Sequence, residues 1–299
     1  MKNVSMKSLS ALTFIFLLLL VSCTDDKIDF TSNDSENVQD EAATDGYFED
    51  ADDMATLAVA ADNATAGGGR IGSSGRIAGV KPVDLRFSDC VTVTLELAEG
   101  STQQNPHGYI TIDFGSTCTD IKGNVRSGII HIEFIGRRFF PESKIITTFE
   151  NYKINGVQIE GTRTVTNVTG SVEDHPKFSI LIEGGKATWP DGSFATREAN
   201  RTREWIRAEN PLLDQWNVDG TAAGTNRRGV AYQVEITKPL VYKRECAISN
   251  RVFMAVEGTK VLTTESKTIT IDYGTGECDK TVTITKNGVT KTIEVKGNI

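Results

Sequence analysis

Apolar and polar residues alternate with a period of two along most of the chain from residue 83 onward. Val91–Leu97 has an apolar residue at every odd position, and Ile110–Phe114 has one at every even position. This alternation is typical of strands with one buried face, and it recurs as far as Val295. Ten or more such strands with short connections predict an all-β fold, with a large antiparallel sheet that is curled or split into a sandwich or barrel-like body. Three dipeptides typical of hairpin turns separate the runs: Asn155-Gly156, Asp191-Gly192 and Asn287-Gly288.

The segment between residues 24 and 62 is distinguished by its charge. It holds thirteen acidic residues and one Lys, a net charge of −12, whereas residues 70–299 hold 29 basic and 27 acidic residues. Such a segment has too little apolar surface to offset the entropy lost on ordering. We therefore expect an acidic and Gly-rich disordered tether over 23–82, with a possible short helix at Asp52–Ala61, followed by a β body over 83–299.

The amino terminus has the pattern of a secretory signal. Lys2 and Lys7 precede an apolar run of 14 residues, Leu9–Ser22, whereas a membrane-spanning helix needs about 20. A basic start and a short apolar run predict a signal peptide over residues 1–22 rather than a membrane span.

The end of this run, Leu20-Val21-Ser22-Cys23, resembles the lipobox of bacterial lipoproteins. The resemblance implies cleavage before Cys23 and a lipid anchor on its sulfur; the alternative is an ordinary signal peptide followed by a chance Cys. The next residues, Thr24-Asp25-Asp26-Lys27, resemble the surface-export signal of Bacteroidota lipoproteins, although an acidic stretch is also what a solvated tether would have. The expected location is the outer membrane, exposed at the cell surface.

The chain contains an internal repeat with a Cys at each end. The segment from Tyr109 to Cys118 resembles that from Thr268 to Cys278, and Cys90 and Cys246 precede the two copies. With Cys23 assigned to lipid, four Cys remain, and these allow three disulfide pairings. The repeat favours Cys90–Cys118 and Cys246–Cys278, one bridge within each unit. A four-Cys zinc site is the alternative, but no closely spaced Cys pair of the kind zinc sites use is present.

The most unusual stretch for ligand binding runs from Arg197 to Arg207. On a strand, its basic and aromatic side chains would share one face, where arginines offer forked donors and the indole a flat stacking surface for an anionic or sugar ligand. Alternatively, the arginines pair with acids on neighbouring strands, or the segment is helical. The candidate ligand-binding residues are Arg197, Arg201, Arg203, Trp205 and Arg207.

Candidate catalytic chemistry is sparse. His107, His131 and His175 belong to no recognisable catalytic or metal-binding motif. Asp113 and Asp272 hold equivalent positions in the repeat and suggest either calcium ligands or, more simply, acceptors for backbone N–H groups in the following turn. A carboxylate pair for glycan hydrolysis would have to come from Asp113, Glu133, Glu150 and Asp272 gathered in one cleft.

The chain resembles a family of Bacteroidota lipoproteins. The resemblance rests on the lipobox with Asp25-Asp26, the two Cys-containing repeats, the segment 155–167 and the stretch from Trp189 to Trp205, and it implies no activity for particular residues. We expect a lipid-anchored protein with a non-enzymatic binding or structural role, no cofactor and no metal. Possible partners are a glycan or an envelope protein, and a pI near 5.1 argues against nucleic acid. The alternatives are a periplasmic lipid carrier with a curved sheet, or a hydrolase.

Overall fold

A computed structural model describes residues 30–61, 76–78, 90–120, 123–171 and 174–295. The predicted signal peptide, Cys23 and the glycine-rich segment 67–75 lie outside the described residues. Within the described part of the chain, no helix combines the length and apolar character needed to cross a membrane.

The body is one large antiparallel sheet, which confirms the predicted fold class. The strands pair in chain order from β1 to β15, except that the short β4 pairs only with β5, so β3 and β5 are neighbours. β1 and β15 are the two edges of an open sheet. The strands are β1 Arg76–Ala78, β2 Thr92–Leu97, β3 His107–Asp113, β4 Cys118–Thr119, β5 Val125–Ile135, β6 Lys144–Ile154, β7 Val157–Asn167, β8 Lys177–Thr188, β9 Phe194–Ile206, β10 Gln215–Thr225, β11 Ala231–Lys243, β12 Glu257–Thr264, β13 Lys267–Thr275, β14 Thr281–Lys286 and β15 Val289–Glu294.

The period-two pattern gives strands with one buried face and one exposed face, as predicted. On β5, Ile130, Ile132 and Phe134 are buried, whereas His131 and Glu133 on the other face are partly exposed. The same alternation along β3, β8 and β14 gives the sheet an inner face that forms the core and an outer face that meets solvent.

The expectation of a disordered tether is wrong for residues 32–61. These residues form one helix, α1 (Ser32–Ala61), of 30 residues, and the predicted short helix is its last third. The helix packs on the inner face of the sheet. A segment this acidic can be ordered because its carboxylates pair with basic side chains of the sheet, a compensation that the composition of the segment alone does not reveal.

The positions of these pairs show that the sheet curls around α1. Asp34 contacts Lys286 on β14, and Asp50 contacts Arg126 on β5. These two acids are separated by about 24 Å of helix, whereas the nine strand-to-strand steps between β5 and β14 would span about 43 Å in a flat sheet. One apolar cluster accordingly extends from Val93 on β2 to Ile284 on β14 and includes α1.

The two predicted disulfides, Cys90–Cys118 and Cys246–Cys278, are both present, with Cα–Cα distances of 5.5 and 5.0 Å. Each bridge flanks a pair of strands, β2–β3 in the first unit and β12–β13 in the second. The two repeat units therefore lie towards opposite edges of the sheet. Because all four sulfur atoms are used in bridges, the alternative of a four-Cys zinc site is wrong.

The antiparallel order defines two ends of the sheet. The near end holds the β10–β11, β12–β13 and β14–β15 turns, and α1 begins there, since Asp34 contacts Lys267 and Lys286 beside those turns. The far end holds the loops that follow β5, β7, β9 and β11. Strands of up to 13 residues separate the two ends, or about 43 Å.

The close approach of β9 and α1 to Gly185 on β8 predicts that this residue does not tolerate a side chain. A methyl group there would lie 2.4 Å from the Arg197 carbonyl oxygen and 3.0 Å from Cζ of Phe48 on α1. We expect Gly185→Ala to lower the free energy of unfolding by about 1–3 kcal/mol, measured by chemical denaturation. The control is Gly170→Ala, where the nearest atom would lie at 3.5 Å; equal effects of the two substitutions would contradict the packing.

Candidate functional site

The buried side of α1 combines acidic and apolar residues. Its buried positions follow the period of a helix, but Asp34, Glu41 and Asp52 occupy three of them, with exposed fractions of 0, 1 and 4%. The first half of the helix is held mainly by such polar side chains. The second half contributes Phe48 and Met54 to the apolar core. Ion pairs therefore hold the helix from Asp34 to Asp52, and apolar packing adds to them in its second half.

The sheet supplies basic residues at inward-facing positions that elsewhere hold apolar side chains. On β9, the buried series is Ala195, Arg197, Ala199 and Arg201. The small alanines leave room for α1, and the arginines between them reach its carboxylates. Further basic side chains that pair with α1 come from five other strands: Arg126 on β5, Arg163 on β7, Lys260 on β12, Lys267 on β13 and Lys286 on β14.

The centre of the network is Glu41, which is completely buried. Its carboxylate lies 3.0 Å from Nη1 of Arg197 and 2.5 Å from Nζ of Lys260. One helical turn later, Asp45 lies 2.7 Å from Arg197 and 2.9 Å from Arg201. Arg197 thus bridges two successive acids of α1, and β9 is joined to β12 through the helix.

A second part of the network joins α1 to strands β7 and β9. Asp52 pairs with Arg163, which is fully buried, and also lies 3.2 Å from Nη1 of Arg203. Glu49 pairs with the same two arginines. Each of the two acids therefore contacts both arginines, and this cluster of four side chains links β7 and β9.

The network reaches both halves of the sheet. Asp34 accepts hydrogen bonds from Lys267 at 2.7 Å and from Lys286 at 2.8 Å. Asp50 accepts from Arg126 at 2.8 Å, and Arg126 also pairs with Asp120 in the loop after β4. Ion pairs to α1 thus connect strands from β5 to β14.

The electrostatics of the network keep its acids ionised. Burial by itself would raise the pKa of Glu41, Asp45 and Asp52, but the neighbouring Lys260 and arginines outweigh it, and the pKa of each lies below its ordinary value. The pKa of Asp34 is lowered in the same way by Lys267 and Lys286. Each of these carboxylates is paired with basic side chains of the sheet, so the network holds the helix in place.

The structure separates the five predicted ligand-binding residues into two groups. The segment is a strand, as the first interpretation required, and Arg197, Arg201 and Arg203 share its inner face. Their partners are acids of α1, not acids of neighbouring strands. A ligand for these three arginines would have to displace the helix. Trp205 and Arg207 lie beyond the network, at the far end of the sheet.

Aromatic and arginine side chains gather at the far end. The rings of Trp205 and Trp216 stack with centroids 6.2 Å apart, and Phe139 of the β5–β6 loop lies 5.8 Å from Trp205. Three guanidinium groups lie over aromatic rings: Arg137 over Phe140 at 5.5 Å, Arg138 over Phe139 at 5.2 Å and Arg207 over Trp205 at 5.9 Å. We call these six residues, Arg137, Arg138, Phe139, Phe140, Trp205 and Arg207, the arginine–aromatic rim.

The predicted carboxylate candidates are not all gathered in one place: Asp113, Glu133 and Glu150 lie on the neighbouring strands β3, β5 and β6, whereas Asp272 lies on β13. Asp113 and Asp272 each accept a hydrogen bond of 2.8 Å from the backbone N–H two residues later, as the turn interpretation predicts. They lie on β3 and β13, nine strand-to-strand steps apart. Glu150 is paired with His131 at 3.0 Å on the exposed outer face.

The other two histidines have local roles. The His107 ring lies 3.2 Å from the carbonyl oxygens of Asn105 and Glu99, and Nδ1 of His175 accepts from the backbone N–H of Arg207 at 3.2 Å. Glu245 lies beside Cys246 and Cys278 in a shallow surface depression, but both sulfur atoms are bonded to each other and are not available to a metal.

The sequence interpretation missed most of the ionic network. It identified Arg197, Arg201 and Arg203, but not their acidic partners on α1 or the basic residues of the other strands. Two signals were present. Asp34, Glu41, Asp45 and Asp52 are spaced as one helix face, and Arg163 and Lys260 interrupt alternating strands at inward positions.

Comparisons with known proteins add no relative to this picture: no protein-family model matches the chain, and neither a curated protein nor a solved structure resembles it significantly.

Removing the central carboxylate should destabilise the protein strongly. Glu41→Gln leaves the buried Arg197 and Lys260 without their shared negative charge, so we expect the free energy of unfolding to fall by about 3–5 kcal/mol. Glu36→Gln is the matched control, because Glu36 pairs with Arg228 at an exposed position and should change it by about 0–1 kcal/mol. Chemical denaturation of both variants is the measurement, and similar losses in the two would contradict a central role for Glu41.

The network also predicts a loss of stability in acid. Because the folded-state pKa of Asp34, Glu41, Asp45 and Asp52 is lowered, their contribution is complete above the ordinary carboxyl pKa and disappears as pH falls through the folded values. We expect the free energy of unfolding to decrease between about pH 5 and pH 2. Asp34→Asn should flatten this decrease. Asp40→Asn should not, because burial raises the pKa of Asp40; an unchanged acid dependence in Asp34→Asn would refute the assignment.

Proposed function

We propose that this chain is a lipid-anchored cell-envelope lipoprotein with a non-enzymatic binding or structural role. The anchor is Cys23, the membrane is the outer membrane, and the β body is exposed at the cell surface. The main support for the proposal is the set of ion pairs that attach α1 to the sheet. Because of these pairs, the segment that follows the predicted anchor belongs to the folded body.

The position of α1 determines how the body would stand on the membrane. Eight residues lie between Cys23 and Ser32, and this stretch can span at most about 30 Å. Since α1 begins at the near end, a lipid on Cys23 would hold that end towards the membrane and direct the far end away from it. The two disulfides suit an oxidising compartment such as the cell envelope.

The geometry favours a binding module over a lipid carrier. A carrier needs an apolar concave face that is free to receive an acyl chain. Here the inner face of the sheet is covered by α1 and carries buried arginines and lysines paired with its acids. An acyl chain in this place would leave those charges unpaired, at a high cost in free energy.

The geometry also favours binding over carboxylate-based hydrolysis. Glycosidases need two carboxyl groups about 5–9 Å apart on either side of the substrate. Asp113 and Asp272 support backbone turns on distant strands, and Glu150 is paired with His131. The acids of α1 are closer together, but basic side chains neutralise them.

The anchor can be tested on the protein from its native cells. We expect the wild-type protein to partition into detergent and to carry fatty acids on Cys23, detected by mass spectrometry of the amino-terminal peptide. Cys23→Ala should partition into the aqueous phase with its β body intact. A wild-type protein that is freely soluble, with an unmodified Cys23, would refute the proposed anchor.

Surface exposure is tested separately by protease treatment of intact cells. We expect the body to be degraded while a periplasmic marker survives. Protection of the body until the outer membrane is permeabilised would place it on the inner side instead.

A further inference from the structure

We propose that the arginine–aromatic rim at the far end of the sheet is a binding site for an acidic polysaccharide, that is, a glycan bearing carboxylate or sulfate groups. The inference rests on the proposed binding role and adds its site and ligand class. It is carried by two features of the rim: two arginines, Arg137 and Arg207, that pair with no carboxylate of the described residues, and exposed aromatic rings beside them.

The rim arginines differ from the arginines that face α1 in what they contact. Arg137 donates to the carbonyl oxygen of Gln103, and Arg207 donates to that of Asp174. Arg138 lies over the rings of Phe139 and Phe178. Among the described residues, no carboxylate oxygen lies within salt-bridge distance of these three guanidinium groups. The positive charge of Arg137 and Arg207 is therefore available to an anionic ligand. That of Arg138 also acts on Asp52 and Asp53 of α1, and that of Arg197 or Arg201 is paired with acids of α1.

The aromatic rings are both exposed and held in place. Phe139 and Phe140 expose 44 and 49% of their surface, although large aromatic residues are usually buried. Phe139 is fixed against Phe178 and Trp205, and the indole nitrogen of Trp205 is itself buried. Flat rings of this kind pack against the C–H faces of sugars, and forked guanidinium donors pair with carboxylate or sulfate groups.

The position of the rim favours a glycan over the anchoring membrane. An anchor on Cys23 holds the near end, and the strands place the rim about 43 Å beyond it. A polymer that approaches from the solvent can place its acidic groups on the arginines and its sugar rings on Phe139 and Phe140.

The test uses the whole chain with Cys23→Ala, because a fragment without α1 would leave the buried basic residues unpaired. The probes are polygalacturonate and heparin, with neutral dextran for comparison, and binding is measured by affinity electrophoresis and calorimetry. We expect binding to at least one acidic polymer and none to dextran. The double variant Arg137→Gln/Arg207→Gln should weaken that binding by about tenfold or more, and Phe140→Ser should weaken it as well.

The matched control is Lys153→Gln/Lys291→Gln, which removes the same charge from exposed positions outside the rim and should leave binding nearly unchanged. Equal losses in the two double variants would show a nonspecific charge effect and overturn the proposal. Absence of binding to both acidic polymers, equal binding to dextran, or binding only to phosphatidylcholine–phosphatidylglycerol vesicles would overturn it too. These results are independent of acylation at Cys23, so they separate failure of the rim from failure of the anchor.

Discussion

The structure depends on the pairing of an acidic helix with a basic sheet face. A carboxylate can be buried as completely as Glu41 only if opposite charges accompany it, because an isolated buried charge costs far more free energy than a folded domain has to spare. Arg197 and Lys260 provide those charges from strands that lie three apart in the sheet. The requirement fixes the position of α1 along the sheet and the curl that brings β5 and β14 to the same helix.

Buried ion pairs of this kind specify an arrangement more than they add stability. Well-packed apolar residues could replace them at little cost, whereas loss of one partner is severe. The packing of Phe48 and Met54 would by itself allow the helix to shift along an apolar surface. The acids at 34, 41, 45 and 52 meet basic residues only in one register, so we infer that the network selects that register.

This arrangement also decides where function can reside. The inner face of the sheet is filled by a segment of the same chain, and its charges are neutralised there. The far end is different, because Arg137 and Arg207 contact backbone carbonyl groups and Phe139 and Phe140 remain exposed. A ligand that approaches the far end of the sheet would therefore meet the arginine–aromatic rim.

The local sequence pattern predicted the all-β class, most of the strands and both disulfides. These features could be predicted because alternation, turn dipeptides and the Cys-containing repeat are properties of neighbouring residues. The same pattern placed Arg197, Arg201 and Arg203 on one face of a strand. It could not show that residues 32–61 are ordered, since their hydrophobicity is low and their partners lie more than 70 residues away. Only the tertiary structure brings Glu41 to Lys260, across 219 residues. It therefore decided which charges are buried and which remain free, because an ion pair depends on proximity in space and leaves no periodic signal in either of its segments alone.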